Sequence, residues 1–325
     1  MAGRKRSLWA TLIAVAVVSV SLVYVVRSLV LGLREAEDPT ALLSFDVPLF
    51  AASMLVLQLH FLLAAITWKM VLGLSGSRVP LRSAWVVHYL AQLGKYIPGK
   101  VWAVLGKVGL STRAGVPASS ASHAIILETL LILASVMLIV LPITPAVARA
   151  LGLGQVISTA VVLCGVVAIL MMGHPAILGR VLALASRLMR LGITWDHPDI
   201  LAIVRTLPVY LAMFLMMGLA FVLLCMSFGA DPGLWPGILI LPTAVAIGFA
   251  FLPAPGGLGI REISLVWLID LVTGLTGVQL PAGKAEVLSI AARLWMTLGE
   301  LIAFGIALAI SRAVWKKEPA SRDRT

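Results

Sequence analysis

Two short stretches combine cationic side chains with backbone breaks. One is Pro253-Ala254-Pro255-Gly256-Gly257-Leu258-Gly259-Ile260-Arg261-Glu262, with two prolines and three glycines ahead of an Arg-Glu pair. The other is Gly94-Lys95-Tyr96-Ile97-Pro98-Gly99-Lys100, followed seven residues on by Lys107. Proline removes a backbone donor and clustered glycines lower helix propensity, so a helix stops at each stretch and another starts after it. The new helix presents unpaired N–H groups and a partial positive charge, and a Lys or Arg there completes an anion site. Lys95, Pro98, Gly99, Lys100, Pro255, Gly256, Gly257, Gly259, Arg261 and Glu262 are therefore the expected binding residues. Lys107 shares a helix face with Lys100 and could instead snorkel to a membrane surface. Further along, Glu286, Arg293 and Glu300 recur at spacings of seven, with Ser289 and Thr297 on nearly the same stripe. Glu128 lies in another apolar run, with His123 five residues before it. Glu128, Arg293 and Glu300 are expected to gate or balance charge. A structural ion pair of Arg293 with Glu128 or Glu300 is the competing reading.

The surroundings of these residues set the solvent in which they act. The chain has 325 residues, 61% hydrophobic and 12% charged, with mean hydropathy +1.06. A soluble domain would carry roughly twice that charged fraction. The fold class implied is an all-α integral membrane protein, of a length that suits one membrane domain without a separate soluble enzyme. In such a chain the net charge of +11 reflects basic residues collecting on the cytoplasmic side and near anionic headgroups. No basic run interleaved with aromatics suggests nucleic acid. Cys164 and Cys225 both lie in apolar runs, and neither cysteines nor histidines approach metal-ligand spacing, so no disulfide, metal or cofactor is expected.

Six stretches are long and apolar enough to cross a bilayer: about 8–30, 49–72, 118–141, 153–173, 200–228 and 285–311. The first follows a basic start and reads as an uncleaved anchor. Two more, 83–111 and 234–276, are apolar but broken at their centres and are expected to form re-entrant helical hairpins. With the N-terminus inside, Arg78, Arg82, Lys95, Lys100, Lys107, Arg113, Arg180, Arg187, Arg190 and the basic tail all fall on the cytoplasmic side. The termini are thus both expected in the cytoplasm, in a cytoplasmic membrane. The order span, span, broken hairpin, span occurs twice, and three crossings per unit turn the second copy upside down. This gives a first repeat over 1–145, a fourth span and a cytoplasmic interfacial helix (176–191) over 146–199, and the rest of the second repeat over 200–325. Paired broken segments in an inverted repeat point to a transporter-type site at the midplane.

The two breaks, Gly94–Lys100 and Pro255–Glu262, resemble the signatures of the lysylphosphatidylglycerol synthase transmembrane-region family, also called flippase-like domain proteins. The resemblance extends over roughly 8–311 and implies a lipid flippase. Full-length synthases of this type add a soluble aminoacyl-transferase domain. This chain ends soon after its last span, so aminoacyl transfer is not an expectation. No His-Glu-x-x-His, Gly-x-Ser-x-Gly or P-loop motif is present. The leading expectation is a non-enzymatic translocase of a phosphate-bearing lipid, whether an anionic or aminoacylated phospholipid or a polyprenyl phosphate. The alternative is a non-transporting membrane partner that delivers lipid to a glycosyltransferase or lipid synthase. An intramembrane enzyme using Glu262 or Glu128 as a base and a soluble-solute transporter complete the field. Expected partners are phosphate-headgroup lipids, with such an enzyme and self-association left open.

Overall fold

Long apolar runs without water to bond their backbones must satisfy every N–H and C=O internally, and helices do so. The structure, a computed structural model, describes residues 43–96, 101–152, 200–250 and 259–315 with a few isolated positions between them. Their helices are α1 (Val47–Leu74), α2 (Leu81–Gln92), α3 (Val101–Arg113), α4 (Ala118–Val140), α5 (Thr144–Ala150), α6 (Ile200–Val204), α7 (Leu207–Ser227), α8 (Leu234–Ala250), α9 (Ile260–Thr276) and α10 (Lys284–Trp315). No strand occurs among the described residues.

Four helices are long and apolar enough to cross a membrane: Val47–Leu74, Ala118–Val140, Leu201–Ser227 and Lys284–Trp315. They coincide with four of the six expected crossings, and the chain is an integral membrane protein. Apart from isolated positions, the expected crossings 8–30 and 153–173 and the interfacial helix 176–191 lie outside the described residues, as do the ends of the chain. The third of the four is interrupted at Arg205-Thr206, just ahead of Pro208, whose ring denies α7 a continuous bond ladder with α6. Helix α10 has 32 residues, about 48 Å at the α-helical rise, and outruns a hydrocarbon core of about 30 Å.

Several helices stop by one device. Gly76, Gly115, Gly229 and Gly277 have φ of 82°, 81°, 73° and 76°. The residue after each donates its N–H five positions back: Ser77 to Leu72, Val116 to Ser111, Ala230 to Cys225 and Val278 to Thr273. This C-terminal motif places glycine where the chain must turn left-handed, which a side chain resists.

The two broken stretches each form an antiparallel pair of helices. A 3-10 turn, Leu93–Tyr96, follows α2, and residues 97–100 are outside the description. A Cβ on Gly94 would meet Ala103, and one on Gly106 would meet Ala91, so numbers rise on α2 as they fall on α3. Likewise a Cβ on Gly233, ahead of α8, would lie 3.6 Å from Thr276 at the end of α9. Small residues let these backbones approach, as helix pairs in membranes commonly do. The α-helical arms of the first pair, 12 and 13 residues, are about 18–20 Å long each.

The described residues divide into two compact units. One holds 43–60, 133–152, 211–250 and 259–298; the other holds 61–96, 101–132, 200–210 and 299–315. In the first unit the pair α8/α9 sits whole, and its core includes Leu57, Phe221, Ile240, Leu268 and Trp295. Polar side chains there bridge helices: Trp295 Nε1 donates to Ser53 Oγ at 3.1 Å, and His60 Nδ1 lies 2.8 Å from the Met213 carbonyl. In the second unit α2/α3 sits whole, with Trp68, Leu72, Leu127 and Tyr210 fully buried. Trp85 Nε1 donates to the Ala303 carbonyl at 3.1 Å, and Tyr89 Oη donates to the Phe61 carbonyl at 2.5 Å. The Trp85 indole and the Tyr89 phenol are thereby satisfied, as apolar surroundings require.

Candidate functional site

Among the described residues, each unit contains a charged centre. In the first unit the centre is built on the opening turn of α9. Gly259, at φ 85°, is its N-cap, a backbone state that suits glycine. Glu262, three residues on, reaches back so that Oε2 accepts the Gly259 N–H at 2.6 Å. This is the acidic half of a capping box, and it also sets a carboxylate against the positive end of the helix. Glu262 Oε1 receives two guanidinium groups: Arg261 Nη2 at 3.3 Å and Arg293 Nη1 at 3.3 Å.

Arg293 comes from α10, one turn beyond Ser289, whose Oγ donates to the Glu262 carbonyl at 3.2 Å. That bond and the ion pair fix the register of α10 against the start of α9. The Arg261 and Glu262 side chains are each 16% exposed and Arg293 is 32% exposed, so the centre is partly solvated. Two guanidinia thus converge on one carboxylate. Guanidinium presents several N–H donors in a planar fork that matches a phosphate or carboxylate. The arrangement can hold an anion beside the α9 N-terminus.

In the second unit Lys107 on α3 donates to both oxygens of Glu128 on α4, at 2.7 and 2.5 Å. The pair is nearly enclosed, with side chains 12% and 9% exposed. The ammonium also lies 3.8 Å from the centre of the Trp68 ring on α1. His88 on α2 places Nδ1 3.7 Å from Glu128 Oε1, while Gln92, one turn further, places its amide nitrogen 2.9 Å from His88 Nε2. Four helices thus contribute to one buried charged cluster.

Of the expected site residues, Gly259, Arg261, Glu262 and Arg293 come together. Arg293 pairs with Glu262, while Glu128 pairs with Lys107. Lys107 is therefore an enclosed ion-pair partner, contrary to the snorkelling expectation. Glu300 is half-buried on α10 in the same unit as Glu128. Lys95 belongs to the 3-10 turn, and its side chain is outside the description. Pro98, Gly99, Lys100, Pro255, Gly256 and Gly257 lie outside the described residues.

Sequence reasoning passed over His88, Gln92 and Trp68. A signal was available for the first two: they stand four apart on a helix whose neighbours Val86, Val87, Tyr89 and Ala91 are all buried. Polar residues so placed must find partners inside. Among the described residues, no three His, Cys, Asp or Glu side chains gather in a way that could hold a metal ion.

A family model described as "Lysylphosphatidylglycerol synthase TM region" matches residues 9–298. No curated protein matches the chain.

Proposed function

The chain belongs to the lysylphosphatidylglycerol synthase transmembrane-region family, and we propose that it moves a phosphate-bearing lipid across the membrane. Membership ties it to membrane lipids in general terms; the translocase role and the headgroup are our reading. The observation that carries this reading is the Arg261–Glu262–Arg293 cluster at the start of α9. Its two converging guanidinia and its place at a helix N-terminus suit a phosphoryl group.

A phosphate arriving there competes with Glu262 for the two guanidinia. The carboxylate keeps them aligned beforehand, so little side-chain entropy is lost when the headgroup binds. Exchange of one anion for another also gives a release step, because Glu262 can reclaim its partners. Acyl or prenyl tails stay in the bilayer throughout. Each antiparallel helix pair supports a re-entrant reading of its own broken stretch. Glu128 balances Lys107, and Glu300 is a further charge-balancing group.

The test is protein-dependent lipid movement in vesicles. Purified protein is reconstituted with fluorescent phosphatidylglycerol or a polyprenyl phosphate, and exposure of the headgroup to an impermeant quencher is timed. Faster exchange than in empty vesicles is expected, and it should fall in Arg261→Gln and Arg293→Gln. Equal rates with and without protein for every lipid would overturn the reading. Saturable binding without movement would favour lipid delivery to a glycosyltransferase or synthase.

A further inference from the structure

The second charged cluster is not used by the phosphate site, yet it has the composition of a proton site. A lone ammonium or carboxylate in a membrane interior costs several kcal/mol, and a neutral apolar pair of equal volume would avoid that cost. Lys107 and Glu128 nonetheless occupy this enclosed position, and an imidazole is set beside them.

Gln92 sits on the far side of that imidazole, with its amide nitrogen at Nε2. An amide that donates to Nε2 leaves the imidazole proton on Nδ1, the nitrogen that faces Glu128 Oε1. Other titratable groups of this unit surround the cluster. They include the buried phenols of Tyr89 on α2 and Tyr210 on α7, and Glu300 on α10. On α1 the neighbour is the Trp68 ring, and Lys69 beside it is exposed.

With His88 neutral, the triad Lys107, Glu128 and His88 sums to zero charge. One added proton converts the Glu128 carboxylate to an acid, or His88 to imidazolium, and raises the sum to +1. If the proton lands on Glu128, Lys107 loses its counter-charge while still enclosed against Trp68. That is a strong local drive for the helices carrying these residues to rearrange. The sequence carries no nucleotide-binding P-loop, which leaves passive movement or an ion gradient to drive any transport.

We propose that Glu128, with His88 and Lys107, forms an exchangeable proton site whose protonation couples lipid movement to a proton gradient. The coupling half rests on the translocation reading above; the proton site does not.

Infrared difference spectra of the purified protein, alkaline against acidic, test the site itself. A protonated-carboxyl band should appear on acidification and be missing in Glu128→Gln. Identical difference spectra for the two proteins would overturn the proton site, whether or not lipid moves. Vesicles carrying fluorescent phosphatidylglycerol then test the coupling. The rate under a pH gradient is divided by the rate at equal pH. A severalfold ratio is expected for the wild type and a ratio near unity for Glu128→Gln.

The double variant Lys107→Met with Glu128→Gln removes both charges and leaves none unpaired, so it guards against misfolding and should also give unity. A wild-type ratio of unity, or a wild-type response in both variants, would overturn the coupling. Absence of any protein-dependent movement would instead overturn the translocation reading, with the infrared result still deciding the proton site.

Discussion

At the level of single residues, the two ion pairs differ in how much they depend on each partner. Lys107 and Glu128 are nearly enclosed, so removing one leaves the other charged and buried, a loss of about 3–5 kcal/mol. Lys107→Met alone should therefore lower the unfolding temperature in detergent sharply. Lys107→Met combined with Glu128→Leu should restore most of it. If the double variant is no more stable than the single one, the pair is not the buried unit described here. The Arg261–Glu262–Arg293 cluster is more exposed and its contacts are longer, so single changes there should cost fold stability less and anion binding more. Arg261 and Glu262 were legible in sequence because charge follows a helix break within a few residues. The Lys107–Glu128 pair was not: 21 positions separate its members, and only packing decides which carboxylate meets which cation.

At the level of helices, the glycines separate into those that permit close approach and those that do not. A Cβ on Gly218 of α7 would lie 2.1 Å from the Ile238 carbonyl oxygen of α8, and one on Gly94 would lie 2.5 Å from the Ala103 nitrogen. Backbone cannot yield as a side chain can, so Gly218→Ala and Gly94→Ala should each destabilise by roughly 1–3 kcal/mol. Gly73 of α1 and Gly109 of α3 have nothing within 4 Å of an added Cβ. Alanine there should be neutral, or stabilise by roughly 0.5–1 kcal/mol through helix propensity. Thermal unfolding of the four variants checks the contrast, and a uniform response would refute it. Four long helices could be read from sequence because length and apolarity suffice to define them. The hairpin arms could be read because proline and glycine mark their breaks. Which glycine meets which backbone could not, since Gly218 and Gly73 look alike within their own apolar runs.

At the level of the whole chain, the ends of the helices carry the sidedness. In one unit the backbone of Asp46, just before α1, donates to the Ser227 carbonyl at the end of α7. Lys284, opening α10, stands 5.7 Å from the Phe228 ring, so these three helix ends lie on one side. In the other unit Arg113, ending α3, lies 4.9 Å from the ring of Trp315, which ends α10. The antiparallel return of α3 along α2 brings Arg82 to the same side as Arg113. The basic ends therefore gather with the C-terminal end of α10, where Arg312 also lies. Carrying a positive charge outward opposes a membrane potential by about 2.3 kcal/mol per 100 mV, which favours the cytoplasm for this side. Replacing Cys164 and Cys225 by alanine allows single cysteines to report. Gln279→Cys, between α9 and α10, should react in intact cells with a membrane-impermeant maleimide. Thr112→Cys, exposed near the end of α3, should react only after the membrane is opened. Labelling of Thr112→Cys from outside would reverse the orientation.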